Sequence, residues 1–213
     1  MLHIQSFVFN PYQENSYIIY DDYKNCIIID PGMHHYKEEE ALSAYIQSEG
    51  LTPISLINTH GHIDHVLGNK YVADTYNLIP QFHEKELPLV VQVQNYAPQM
   101  GIRYEPSPIP ETFLSEGDKI QIGDDKLELI LAPGHSPGHL CLYSEKYKFL
   151  IGGDVLFKNS IGRTDLPGGN HQQLLDSIAT KIYSLPEDTV VYPGHGPTTT
   201  IREEKQNNPF IRA

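Results

Sequence analysis

Apolar residues come in short bursts along the first thirty positions. LHIQSFVF (2–9), NSYIIYDD (15–22) and NCIIIDPG (25–32) are β-branched and aromatic, and NPYQEN and DDYKN break them. That pattern predicts three strands joined by turns. The spacing then changes. HYKEEEALSAYIQSEG (35–50) reads as a helix with glutamates near its start and Gly50 near its stop. ISLIN (54–58) is a short buried strand, and HVLGNKYVADTYN (65–77) is helical again. The second half repeats the plan. DKIQIGDDKLELILA (118–132) and GHLCLYSEKYKFLIGGD (138–154) each hold two strands. NHQQLLDSIATKIYSL (170–185) is an amphipathic helix, TVVYPGH (189–195) a strand and TIREEKQN (200–207) a short final helix. Blocks of the βββα type, once in each half, point to two sheets packed face to face with helices outside, in one domain spanning 1–213. The segment 83–112 interrupts the pattern and is expected to cover one end of the domain.

Charge and cysteine content narrow the function. A net charge of −12, with no Lys/Arg run, argues against a nucleic-acid binder. A bound divalent cation would still make a local site positive. Cys26 and Cys141 lie in apolar runs far apart, which reads as two buried thiols in a reducing compartment. The N-terminus has no signal-peptide pattern and no stretch is long enough to span a membrane, so a cytoplasmic protein with no membrane partner is expected.

The chemistry concentrates in NTHGHIDHVLGN (58–69), where His60, His62, Asp64 and His65 fall within six positions. Imidazole and carboxylate at that density suit Zn, Fe or Mn. His60 and His62, two apart, point the same way in extended chain, while Asp64 and His65 sit where the loop turns into a helix. This two-plus-two arrangement suggests two neighbouring ions. Three further donors follow apolar strands and a glycine: His135 in APGHSPGH, Asp154 in LIGGD and His195 in VVYPGH.

THGHIDH, APGHSPGH, IGGD and YPGHG match, in order, the ligand motifs of the metallo-β-lactamase superfamily, and the chain most resembles its compact glyoxalase II-like hydrolases. IGRTDLPGGNHQQLLDSI and PGHGPTTTIREEKQNNPF point the same way. The resemblance implies an αββα sandwich of two mixed sheets. It implies two divalent ions, zinc first with iron or manganese as alternatives. His60, His62 and His135 would hold one ion, Asp64, His65 and His195 the other, and Asp154 would bridge both. Asp64 would also orient a hydroxide generated at the ions. The implied activity is cleavage of a small-molecule thioester such as S-lactoylglutathione. A thiolate leaves without protonation, whereas a β-lactam nitrogen needs an acid, and antibiotic-hydrolysing relatives generally lack an aspartate where Asp154 stands. Full-length glyoxalase II enzymes carry a further helical domain for glutathione that this chain lacks, so weak glutathione recognition is expected. Persulfide dioxygenases share the fold and a similar GRTD stretch, with one iron that His60, His135 and Asp154 would hold here. A non-catalytic metal-binding protein would be expected to lose Asp64 or Asp154, and neither is lost.

Other residues are ambiguous. His139 is expected beside the donor set and not in it. His171 should be a cap or surface residue. His3, His34, His35 and His83 lack ligand spacing and are expected in solvent. Arg163 either locks its loop by pairing with Asp165 or, with Lys158, contacts an anionic substrate. Tyr96, Met100 and Tyr104 either line the pocket or form the insert's own small core.

Overall fold

In this computed structural model, which describes residues 1–212, the chain divides into two compact units. The first comprises Met1–Leu114 and Gln121–Lys126, and the second Ser115–Ile120 and Leu127–Ala213.

The first unit is built on strands β1 (Leu2–Phe9), β2 (Glu14–Asp21), β3 (Asn25–Ile29), β4 (Thr52–Ile57) and β5 (Pro80–Gln81), hydrogen-bonded in that order. The first two pairings are antiparallel. β3–β4 and β4–β5 are parallel, with Ile29 opposite Ile57. Ile27, Ile28 and Ile29 are fully buried, each stabilising the unit by roughly 1.5–3 kcal/mol. Helix α1 (Tyr36–Glu49) buries Leu42 and Ile46. Gly50 ends it at φ 64°, where its N–H reaches the carbonyls of Ile46 and Gln47. The helical stretch expected at 65–77 is two helices, α2 (Ile63–Val66) and α3 (Asn69–Tyr76), split at Leu67–Gly68. A Cβ on Gly68 would lie 2.7 Å from the Pro31 carbonyl oxygen, so close approach fixes glycine there.

The insert has structure of its own. Helix α4 (Leu87–Tyr96) follows a 3-10 turn (Glu84–Glu86), and a second 3-10 turn (Ala97–Met100) follows it. Val90, Val93 and Ala97 pack with Ile63, Val66, Leu67, Phe82 and Ile102, and Tyr96 and Tyr104 lie against that cluster. The two tyrosines thus belong to the insert's core, while Met100 is exposed. Through Ile63 and Val66, α4 braces the short helix α2.

The second sheet runs β13-β12-β9-β8-β7-β6 among the described residues, from β6 (Lys119–Ile122) and β7 (Asp125–Leu131) through β8 (Leu140–Ser144), β9 (Phe149–Gly153) and β12 (Val190–Pro193) to β13 (Thr199–Thr200). β10 (Leu156–Phe157) and β11 (Ser160–Ile161) make a small separate hairpin. Every residue of β8 and β9 is buried, as expected of interior strands. β9 and β12 are parallel, with Gly153 opposite Pro193 after a one-residue register shift. Helix α5 (His171–Ser177) is capped by Asn170, whose side chain accepts from the Gln173 N–H. It widens into a π-helical turn at Ile178–Ile182, where one continuous helix was expected. Helix α6 (Ile201–Asn207) is capped in the same way by Thr200. Both cysteines are free and buried, and no helix among the described residues is long and apolar enough to cross a membrane.

Candidate metal centre

Parallel strands that end in register bring their C-terminal loops together, and both units use this device. In the first, β3 ends at Ile29 beside Ile57 of β4, so Asp30 and the Asn58–His65 loop leave the sheet side by side. Asp30 adopts φ 48°, a left-handed conformation that aspartate tolerates better than most residues. One of its oxygens accepts from the Thr59 N–H at 2.7 Å. The other accepts from the Thr59 hydroxyl at 2.6 Å and meets His65 Nδ1 at 3.0 Å.

These contacts fix the histidine tautomers. An ionised carboxylate only accepts, so His65 carries its proton on Nδ1. The single Thr59 hydroxyl proton is already given to Asp30. The 3.0 Å contact between Thr59 Oγ1 and His60 Nδ1 is therefore donation by His60. Both imidazoles present a lone pair at Nε2, the arrangement in which an outer oxygen orients a metal-ligating histidine. Their rings lie 4.1 Å apart, and His62, at the N-terminal boundary of α2, meets His60 edge-on at 4.7 Å. Asp64 stands in the first turn of α2, one oxygen 3.8 Å from His65 Nε2.

The surroundings are acidic and closely held. Glu14 is fully buried 3.9 Å from His65, and burial pushes its carboxyl well above the usual range. Ser16 donates to Glu14 at 2.8 Å. A Cβ on Gly32 would lie 2.1 Å from Glu14 and 2.6 Å from the Asp64 carbonyl. The Asn10 amide bonds the carbonyls of Gly32 and Asp64, and Asn58 bonds that of His65. Glu86, from the insert, accepts from the Gly61 N–H at 2.8 Å. Burial first, and then the charge of Asp64, raise the Tyr12 hydroxyl and push Tyr96 up to about 12, so both stay protonated donors at neutral pH.

In the second unit Gly153 and Pro193 end in register, and Gly194 donates to the Gly153 carbonyl at 2.8 Å. Asp154 and His195 therefore leave together. His135 lies in the loop joining β7 to β8, closed by the Ala132 N–H bonding the His139 carbonyl at 2.8 Å. The Nε2 atoms of His135 and His195 sit 3.5 and 3.6 Å from one Asp154 oxygen. Two bonds of about 2.1 Å at a tetrahedral angle place their donors roughly 3.4 Å apart, so each separation suits a cation held between that histidine and Asp154. His135 gives its Nδ1 proton to the Arg163 carbonyl at 2.8 Å, again keeping Nε2 as the lone pair. His139 is the reverse tautomer. Its Nε2 accepts from the Asp154 backbone N–H at 3.0 Å, which makes it a positioning residue.

The donor chemistry in each unit therefore fits a divalent ion. Buried Nε2 lone pairs and carboxylates converge, and the outer atoms that orient them are themselves fixed. Gly162 gives a direct check. A Cβ there would sit 1.9 Å from the Asp154 carbonyl oxygen and 3.1 Å from His135 Nδ1. Gly162→Ala should weaken metal retention by about 10–100-fold, as loss of outer-shell support does. Elemental analysis after dialysis against graded chelator would show this, and unchanged retention would mean that the Gly162 backbone does not set the site.

The remaining expectations divide. Arg163 holds Asp165 in an exposed bidentate pair at 2.7 and 2.8 Å, and its carbonyl, not its guanidinium, serves His135. That pairing holds the Asp165 carboxyl at about 2. Lys158 is exposed and lies 3.8 Å from Glu203. His171 is exposed at the start of α5, as expected. His83 was expected in solvent. It is half-buried, and its Nδ1 caps a 3-10 turn by accepting from the Lys85 N–H. His34 was expected in solvent too, but it is half-buried with its Nδ1 enclosed. Asp30, Thr59, Glu14, Asn10 and Glu86 were not anticipated at all. Only the IIIDPG strand end around Asp30 carried the same sign as the other donors.

Comparison with known proteins agrees with this geometry. Residues 9–195 match the family model of the metallo-β-lactamase superfamily. A hydroxyacylglutathione hydrolase, GloC, from Haemophilus influenzae is 36% identical over 204 residues, covering 95% of this chain and 94% of that protein. The crystal structure of BLEG-1, described as a B3 metallo-β-lactamase, superposes with a TM-score of 0.89 at 38% identity, covering 99% of this chain and all of that one. The di-iron-bound structure of TTHA1623 gives 0.87 at 35% identity, covering 97% and 100%. The two mixed sheets with their helices are the fold of these neighbours.

Proposed function

The chain belongs to the metallo-β-lactamase superfamily, and on that footing we propose that it is a dinuclear metallo-hydrolase for small thioesters, S-lactoylglutathione among them. The observation that carries the reading is the tautomer pattern: His60, His65 and His135 each commit Nδ1 to an oxygen and keep Nε2 for a cation. In this reading His60, His62 and His135 would hold one ion, Asp64, His65 and His195 would hold the second, and Asp154 would serve both. Such a pair, when bound, would lower a water's pKa to about 7 and polarise a carbonyl. The protein's own part is positional. Asp64 accepts a hydrogen bond from the attacking water and aims it. Asp30, Glu14 and Thr59 hold the imidazoles, and His139 holds Asp154. The leaving thiolate needs no proton, so the site works without a general acid.

The name of the Haemophilus relative supports a hydroxyacylglutathione substrate. Because that protein is matched over 94% of its length, a chain of this size suits the activity. Zinc is the metal we favour, and the di-iron state of TTHA1623 makes iron the alternative. Two buried free thiols support a reducing, cytoplasmic setting. A second reading, β-lactam hydrolysis, is favoured by the likeness to BLEG-1.

One experiment separates them. Protein purified without chelator should carry about two divalent ions per chain, the dinuclear complement. Its kcat/KM for S-lactoylglutathione or a shorter acyl thioester should exceed that for a chromogenic cephalosporin by about two orders of magnitude, roughly 3 kcal/mol of barrier. Matching cephalosporin turnover would overturn the leaving-group argument. A single iron with oxygen uptake would instead indicate a persulfide-type oxygenase. If Arg163 and Lys158 contact the anionic thiol portion, Arg163→Ala raises KM for S-lactoylglutathione alone, and an unchanged KM removes Arg163 from recognition.

A further inference from the structure

We propose that His34, His35 and Glu38 form a binding site for a late first-row divalent ion of the zinc, nickel or copper type, sharing no ligand with the centre described above. One donor atom from each of the three lies within 4.8 Å of the others. The two rings are 5.6 Å apart and inclined at 72°, and His35 Nε2 is 3.7 Å from Glu38 Oε1. His34 Nδ1 is buried with no hydrogen-bond partner among the described residues. An enclosed imidazole nitrogen left that way is costly unless something fills it.

Glu38 is already aimed. Its Oε1 accepts from the Asn10 N–H at 2.9 Å and its Oε2 from the His34 N–H at 2.8 Å. Each oxygen has a further lone pair for an ion. Donor separations of up to 4.8 Å exceed the roughly 3.4 Å of two tetrahedral ligands. The exposed His35 ring, attached just ahead of α1, is the group with room to close in.

The surroundings favour a cation. His34 and His35 both line a cavity of about 560 Å³. Of the cavity's charged residues, Lys70 is matched by Asp74 at 2.6 Å and Arg103 by Glu105 at 2.7 Å, leaving Glu39 to set the sign. The N-terminal end of α1 opposes a positive charge, and Glu38 and Glu39 in its first turn offset that. Mixed imidazole and carboxylate donors prefer these ions to magnesium or calcium. The open cavity leaves space for water to complete the shell.

The test is calorimetric titration of zinc chloride into protein whose catalytic complement has first been loaded and counted. The wild type should take up one further equivalent. His35→Asn should weaken that equivalent by more than the roughly 10–100-fold that an outer-shell loss costs, and Glu38→Gln should do likewise. The His35 variant should leave the catalytic complement unchanged. A wild type that takes up nothing more, or a His35→Asn protein that takes it up with unchanged affinity, would overturn the proposal. If His34→Asn fails to fold, the exposed His35 variant still decides. The readout also stands if the proposed catalytic metals are absent, because the further equivalent is scored on its own.

Discussion

Asp64→Ala should lower thioester turnover by about three to four orders of magnitude, roughly 4–5 kcal/mol of barrier, with the fold intact. The side chain is only 14% exposed, yet its removal leaves the architecture standing. Ile63 and Val66 of α2 provide the packing against α4, and the Asp64 carbonyl, which survives the substitution, still accepts from Asn10. What disappears is a carboxylate 3.8 Å from His65 Nε2, in the place where a nucleophilic water would be oriented. Turnover should be measured alongside the circular dichroism melting profile and metal content. A variant that is active and metal-replete would remove Asp64 from the catalytic set. A variant that is inactive because it has unfolded would show that α2 depends on this side chain.

The second large effect separates two histidines four residues apart. His135→Asn should lose one of the two proposed ions, because its Nε2 faces the Asp154 oxygen at 3.5 Å while its Nδ1 is committed to Arg163. His139→Asn should keep both, with affinity weakened by about 10–100-fold. Its Nε2 is spent on the Asp154 backbone N–H, which holds that residue in place. His139 is fully buried, so its substitution also costs stability, through an unsatisfied amide worth about 1–3 kcal/mol. Equal metal loss in the two variants, by elemental analysis at matched chelator concentration, would reverse their roles.

What the chain disclosed in advance followed from local spacing. The donors at His60, His62, Asp64 and His65 are a short-range pattern, and His135, Asp154 and His195 each follow an apolar strand. Strand period and glycine position singled them out as candidate donors, and their division between two ions came from the family resemblance. Asp30, Glu14, Thr59, Asn10 and Glu86 escaped because their roles rest on hydrogen bonds between distant segments, such as Asn10 to Asp64 and Gly61 to Glu86. Nothing in LPLVVQVQNY announces a helix, since β-branched residues lower helix propensity, and α4 forms because Val90 and Val93 have a cluster to bury against. The π-helical turn at Ile178–Ile182 keeps the apolar periodicity of an ordinary helix and is not visible in it. The pair His34–His35, read in the sequence as lacking ligand spacing, was passed over for want of a wider pattern. HHYKE sets a carboxylate three residues beyond the second imidazole, a reach that the start of a helix makes effective.

The parallel pairing of β9 with β12 also bears on how the molecule is made. Asp154 and His195 become neighbours only when the crossover through α5 has closed, a loop of about forty residues whose closure entropy must be met first. A ribosome delivers the chain vectorially, so Asp154 emerges and waits while the residues up to His195 are still being added. This half of the donor set does not exist on any shorter nascent chain. Ion capture by this pair would accordingly be a late event in biogenesis, and a captured ion would act as a clasp on the crossover, resisting the reopening of the last parallel strand.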